Sequence, residues 1–428
     1  MPGFGLWGYT ALNAYWFALS YLWNGLGPII LPVLVANLVG QELKGTYLGL
    51  LISVGLILAI IIQPVSGAIS DRATFRWGRR RPFILFGTLF DLVFLLGMAL
   101  SGSYWVLFLC YFLLQFTSNI AHGPYQGLIP DLVPEEKRGA ASGAKQLLEI
   151  LGIIVCSKAI SAMFDPYSRT GDPWWLWLTF GSIMAILILT MLITMFGIEE
   201  APLTKAPEKS VRETVLGTFN VDLNHYPDFA WLLVSRLFIL TGVNLVRNYA
   251  QWFLADVVKV PNPVAVTGDL LAVIAIAIMF VVYPAGAISD KLGKKNLVAF
   301  SGLLGALGSF LLLFAQGGTL FTVFGIGVTD ILAYGGIIGL SIGIFLSVNW
   351  ALAIDLIPPG EGGRYLGISN LATAGAGVVA GLGGPLRDFF NAQGPGLGYA
   401  ALFVTASLCY LAGTALLVKV REKKTARC

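Results

Sequence analysis

Of 428 residues, 57% are hydrophobic and only 12% charged, and the mean hydropathy is +0.79. A water-soluble chain carries about 25% charged residues, and no globular core of this length hides so many apolar side chains, so a soluble protein is excluded. The formal net charge of +4 resides in basic loops of the kind that anchor a membrane protein, and gives no reason to invoke nucleic acid.

The apolar residues fall in runs long enough to cross a hydrocarbon core of ~30 Å as helices. The strand-period alternation of a membrane barrel is absent. In chain order the predicted spans cover 9–36, 46–70, 82–101, 104–129, 139–163 and 173–197. A polar stretch, 198–227, separates these from 228–256, 265–288, 296–315, 331–354, 364–390 and 397–419. The segment 317–330 is either an external loop or an early start to the tenth span. Lys and Arg concentrate after even-numbered spans and in the tail, with Arg421, Lys423, Lys424 and Arg427. The opposite loops offer little beyond Lys44, Arg169 and Lys259. The positive-inside rule then puts both termini in the cytoplasm, with the chain in the plasma membrane, or the inner membrane of a bacterium. Residues 1–8 carry no basic side chain and the first span exceeds a signal-peptide core, so no cleaved leader is expected. Cys110, Cys156, Cys409 and Cys428 stand singly, without metal or disulfide spacing.

Polar residues inside the spans are expensive and therefore informative. Span one carries Asn13, Ser20 and Asn24 on one face, with Trp16 and Trp23 nearby. Asp91 lies near the middle of span three, as a coupling carboxylate or a helix-packing contact. Span four carries Gln115, Asn119, His122 and Gln126 at spacings of four, three and four, which align on one helix face. Span five places Glu149 about ten residues from its start, ~15 Å deep at the helical rise, with Lys145 one turn away. That couple is either a structural pair or a proton-coupling site, since a carboxyl exchanging a weakly solvated environment for a cation couples its proton to conformation. Span seven carries Arg236, Asn244, Arg247 and Gln251 on a broad face, beside Tyr249 and Trp252. Either arginine is a candidate competing cation. Span ten adds Tyr334 and Ser341, with Asn349 off that face, and its Gly335, Gly339 and Gly343 mark close packing or a bend. Amides donate to and accept from hydroxyls, and flat rings pack on pyranose faces, so these stripes suit a sugar. The same amides also serve as bonds between helices, and His122 as a neutral hydrogen-bonding residue.

The pentapeptide Gly-Ala-Ile-Ser-Asp occurs twice, as Gly67–Asp71 and Gly286–Asp290. Arg72, Arg76, Arg79, Arg80 and Arg81 follow the first copy; Lys291, Lys294 and Lys295 follow the second. An echo comes later in each half: Pro130–Pro134, containing Asp131, with Arg138, then Asp355–Pro358 with Arg364. The chain therefore reads as a duplicated unit. Glycines Gly67 and Gly286 permit close backbone approach, and Asp71 and Asp290 are placed to pair with the basic side chains. These loops are a gate held by ion pairs, or simply topology anchors.

The run Gly286-x-x-x-Asp290-Lys291-x-Gly293-Lys294-Lys295 resembles the loop signature of the major facilitator superfamily. The first copy departs by an insertion, Asp71 to Ile84 with five arginines, which is similar to the sucrose/proton symporters of the glycoside–pentoside–hexuronide group and their bacterial relatives. The superfamily resemblance covers nearly the whole chain; the sucrose-symporter likeness rests mainly on residues 67–84. It implies an all-α membrane protein of about twelve transmembrane helices in two pseudo-symmetric six-helix bundles, with alternating access and proton-driven sugar uptake. In that fold spans one, four, seven and ten surround a central cavity, on which three polar stripes would converge. The sucrose symporters use an acidic residue on span four, where this chain carries Gln115, Asn119 and His122 instead.

The resulting expectation is a secondary transporter of a sugar or glycoside, coupled to protons and working as a monomer. Its halves are 1–197 and 228–428, joined by a cytoplasmic linker at 198–227. No phosphate-cradling loop, nucleophile–base set or metal constellation is present, so neither enzyme activity nor a cofactor is expected. The alternatives are an exporter or carrier of organic anions or drugs, with Arg236 and Arg247 binding a carboxylate, and a non-transporting protein holding pigment, lipid or a partner complex.

Overall fold

The computed structural model describes residues 5–202, 210–219, 221–323, 325–358 and 362–422. Among them twelve helices are long and apolar enough to cross a membrane. Spans one to six are Leu6–Val39, Lys44–Ser70, Arg81–Ala99, Tyr104–Leu132, Glu135–Thr170 and Pro173–Gly197. Spans seven to twelve are Pro227–Val258, Pro263–Leu292, Lys294–Phe314, Asp330–Leu356, Tyr365–Asn391 and Leu397–Lys419. Span five overruns its predicted end because Ser161, Asp165 and Ser168 interrupt the apolar run without breaking the helix, whose left-handed stop is Gly171 (φ 71°). The ambiguous stretch at 317–330 is neither structureless loop nor early helix. Thr319–Val323 and Ile326–Thr329 pair as an antiparallel hairpin, and Thr329 caps span ten by accepting from Leu332 N. Within the polar stretch, Val211–Phe219 forms a short helix; Lys205 and Pro207 lie outside the described residues, as do Lys423, Lys424 and Arg427.

By packing, the chain divides into two compact units: Met1–Val39 with Val54–Gly217, and Gly40–Ser53 with Thr218–Cys428. In the first unit span one packs on spans five and six, and span three on spans four and six. In the second, span seven packs on eleven and twelve, and span nine on ten and twelve. Span two meets span four through Ser66 Oγ, which donates to Asn119 O at 2.9 Å; span eight packs along span ten. The pairings therefore repeat with an offset of six spans. Even the irregularities repeat, since spans one and seven each contain a widened π turn, Leu26–Ile30 and Leu254–Val258.

Side chains such as Phe196, Phe280 and Tyr283 are exposed on the spans, which is stable only against lipid. Inward faces carry the small residues. At Gly339 a Cβ would fall 2.9 Å from the Ile274 carbonyl oxygen, so the span-ten glycines mark close packing on span eight.

Candidate functional site

Each unit ends its second span in a charged cluster that starts its third. In the first, Arg80 is buried and its Nη2 pairs with Asp71 at 2.8 Å, its Nε with Asp131 at 2.5 Å and its Nη1 donates to Ser70 Oγ at 3.2 Å. Arg79 adds a second pair to Asp131 at 2.6 Å. Burial works against the Arg79 charge, but Asp131 and the neighbouring carboxylates more than offset it and hold the guanidinium above its ordinary value. Glu200, just after span six, accepts from Arg80 N and closes the open N-terminus of span three. Among the described residues Arg138 pairs with no carboxylate; it donates to Pro130 O and Val133 O, satisfying carbonyls at the end of the short helix Leu128–Leu132.

In the second unit Lys294 bridges Asp355 at 2.6 Å and Asp290 at 3.4 Å. Glu422, just after span twelve, accepts from Lys294 N at 2.8 Å and repeats the role of Glu200. Lys291, one of the basic residues expected at the gate, is exposed at the last turn of span eight, and the bridge to Asp355 is made by Lys294 three residues on. The Arg364 side chain lies outside the described residues. The two glycines differ. A Cβ on Gly67 would meet Gly123 O at an ordinary 3.8 Å, whereas on Gly286 it would sit 3.0 Å from Ser347 Oγ. The fit is tighter in the second copy, and there it is against a serine hydroxyl rather than backbone. Arg72 lies half-buried at the start of the first loop.

Arg80→Lys is a direct test of this cluster. A lysine is a single point charge and cannot serve Asp71, Asp131 and Ser70 through a planar fork. The expected loss is roughly 1–3 kcal/mol of unfolding free energy in the first unit, read by thermal unfolding of the purified protein; an unaltered melting curve would show the fork to be dispensable.

The polar stripes divide on inspection. Asn13 is buried and donates to Ala141 O on span five at 3.2 Å, which is a bond between helices. Asn24 donates to Ser20 O within its own helix, and Ser20 sits half-buried where span one meets Gly152 of span five. On span four Asn119 donates to Gln115 O at 2.7 Å, Gln115 donates to Tyr111 OH at 2.9 Å, and His122 Nε2 lies 3.1 Å from Gln126 Nε2. Asp91 is fully buried between spans three and four against Thr117 Oγ1 at 2.5 Å.

The convergence in this unit is at Trp16. Its ring meets His122 edge-on with centroids 5.0 Å apart and Tyr125 at 5.2 Å. The Lys145 ammonium stands 3.8 Å from the indole centroid and 3.7 Å from Glu149. Spans one, four and five thus bring one indole, one imidazole, one ammonium and one carboxylate together, and the last two are partly open, at 32% and 22% exposure. An indole flanked by hydrogen-bonding groups is a platform for a ring with one apolar face and several hydroxyls.

In the second unit Asn244 turns back to Leu240 O at 2.8 Å, Gln251 is buried and Arg247 is half-buried. Arg236 departs from the shared stripe. Its Nη1 donates to Asn349 Oδ1 at 2.6 Å and its Nε to Thr373 Oγ1 at 3.0 Å. Asn349, read as off the span-ten face, is therefore on the face that meets span seven, while Ser341 bonds Ser301 O on span nine and Tyr334 is half-buried.

The sequence profile of the Major Facilitator Superfamily matches residues 9–382. The chain belongs to that superfamily. It is 27% identical over 261 residues to a lactose permease of Lactobacillus helveticus, covering 56% of this chain but only 40% of the permease. It is 27% identical over 398 residues to a D-xylose transporter of Levilactobacillus brevis, covering 83% and 81% of the two chains. A sucrose transport protein of Oryza sativa is 33% identical over 110 residues, 21% of this chain and 20% of that one. A multidrug resistance efflux pump of Streptococcus pneumoniae is 24% identical over 89% of this chain and 87% of its own. In three dimensions a nucleoside transporter superposes with a TM-score of 0.76 at 14% identity, over 96% of this chain and 99% of that one. The protein is accordingly a multi-pass membrane transporter of the major facilitator type, not an enzyme.

One constellation of this facilitator escaped the sequence reading. Lys44, buried at the start of span two, pairs with Asp256 at 2.8 Å. Arg387 pairs with the same carboxylate at 3.0 Å and with Asp388 at 2.8 Å. Tyr399 bridges Arg387 and Asp256, and Asp388 accepts from Gly45 N at 3.2 Å and Thr46 N at 2.6 Å. Trp252 faces both cations. The π turn at Leu254–Val258 contains Asp256. Arg387 and Asp388 sit within a predicted span, so an intramembrane charge was the available signal.

Proposed function

We propose that the protein is a proton-coupled importer of a sugar or glycoside, working by alternating access. The observation that carries this reading is the Trp16 cluster, in which an aromatic platform and a carboxylate share one lysine. A pyranose stacked on the indole would reach His122 and Gln126 with its hydroxyls. Lys145 would then trade its contact with Trp16 against its pair with Glu149, which is the differential contact that coupling requires. The lactose, xylose and sucrose relatives support this substrate class. The two halves, 1–197 and 228–428, act as the moving bundles, the stretch 198–227 as their cytoplasmic linker, and both termini lie in the cytoplasm. The clusters around Arg80 and Lys294 serve as gate latches on that side.

Uptake of a labelled sugar panel into proteoliposomes, with and without an inward proton gradient, tests the reading. Trp16→Ala is expected to lower uptake of the preferred sugar by about 5- to 150-fold, with a stacked ring contributing about 1–3 kcal/mol. If every sugar is refused while drugs or organic anions are carried, the efflux-pump relative is the better guide and the sugar reading fails.

A further inference from the structure

We propose that Arg236, Asn349 and Thr373 form a receptor for one carboxylate group of a bound solute, so that an anionic solute is recognised in the second unit. Arg236 lies nine residues into span seven, about 14 Å along the helix. It is 6% exposed, and among the described residues no carboxylate pairs with it. Its two hydrogen-bond acceptors are neutral oxygens on spans ten and eleven. A buried guanidinium without a counter-charge is costly unless an anion joins it.

The neighbourhood is also short of acceptors and rich in donors. Asn349 is 1% exposed, its Oδ1 is taken by Arg236, and among the described residues its Nδ2 has no partner. That amide N–H2 shares its Cγ with the oxygen that holds the guanidinium, so its donors and the guanidinium belong to one bonded group. Two parallel donor groups match the two oxygens of a carboxylate. Phe345 and Trp350 flank the guanidinium at 5.8 and 6.0 Å from their ring centroids. Trp350 and Thr373 are half-buried, so the site is not sealed on the flank they share.

A structural arginine would explain the burial but not the orphaned Asn349 amide. Among the described residues no acceptor reaches it. A solute carboxylate satisfies both groups at once.

The proposal rests on the transport reading only in taking the solute to be cargo, and the test separates the two. The full chain is reconstituted in nanodiscs, and its melting temperature is followed with sodium gluconate, with sorbitol as the neutral match, and with sodium chloride. A bulky sulfonate salt holds ionic strength constant. Gluconate should raise the melting temperature saturably by about 3 °C or more, while sorbitol and chloride should not. Arg236→Gln should abolish the shift. Should that variant fail to fold, Asn349→Asp supplies an internal carboxylate beside Arg236; it should melt higher than the parent without ligand and ignore gluconate. No gluconate shift in the parent, an equal shift from chloride or sorbitol, or a shift that persists in a folded variant overturns the proposal. Gluconate binding without gradient-driven uptake of any solute sinks the transport reading and leaves the receptor standing. Sugar uptake without a gluconate shift does the reverse.

Discussion

Asp388→Ala is expected to destabilise the second unit by about 3–5 kcal/mol, the usual cost of removing one partner of a buried ion pair. At about 2–4 °C per kcal/mol for a domain of this size, the melting temperature of the purified protein should fall by several degrees or more. The reason is the number of groups one carboxylate serves. Asp388 pairs with Arg387 and accepts from the backbone N–H groups of Gly45 and Thr46, which open the helix of span two. An alanine leaves both N–H groups without that acceptor, and the buried one at Gly45 is closed to water by the packing of Gly384: a Cβ on Gly45 would lie 2.8 Å from Gly384 O. A double variant, Arg387→Met with Asp388→Leu, separates the contributions. Were the ion pair everything, apolar replacement would recover the stability. Recovery should be partial, because the N–H groups of span two stay unmet. A melting curve for Asp388→Ala that overlays the parent's would remove the cluster from any account of stability.

Glu149→Gln is expected to abolish accumulation of sugar against its gradient, by about 100-fold, while leaving sugar exchange across the membrane within a few fold. The glutamine is isosteric and keeps a hydrogen-bonding oxygen toward Lys145, so the fold is preserved and the titratable carboxyl alone is lost. Lys145 stands 3.7 Å from Glu149 and 3.8 Å from the Trp16 ring centroid, so removing one charge redistributes the lysine toward the indole. Uptake driven by an imposed proton gradient and counterflow without one are measured in the same vesicles. Loss of the first with retention of the second identifies the coupling step; equal loss of both identifies a binding defect. Unimpaired accumulation would transfer the search to Asp91, which is buried against Thr117 and whose other carboxylate oxygen has no hydrogen-bond partner among the described residues.

Much of the architecture is legible in single letters because a membrane leaves few options. Backbone polar groups must be satisfied within each span, so an apolar run near the required length is a helix, and the observed boundaries follow the runs. Where the rule is silent, so is the reading. Residues 317–330 are apolar enough to be helix and short enough to be loop, and only pairing of Thr319–Val323 with Ile326–Thr329 decides between them. The charge of the loops is legible as well, but its assignment is not. Lys291 and Lys294 are equivalent in composition, yet Lys294 alone faces Asp355. Asn13 and Trp16 look alike as members of a polar and aromatic stripe. The first bonds span five and the second gathers His122, Lys145 and Glu149.

By itself the sequence determined the membrane solvent, the number and order of spans, the duplication and the family. These depend on hydropathy and on local repeats, which are additive along the chain. Tertiary structure alone decided which polar residues are bonds between helices and which converge. It joined Lys44, Asp256, Arg387 and Asp388 across more than 340 positions, and gave Arg236 the neutral oxygens of Asn349 and Thr373 as its hydrogen-bond acceptors among the described residues. Charge pairing in a low-dielectric interior depends on distances of a few ångströms, and helix rotation sets those distances through contacts with residues far away in the chain.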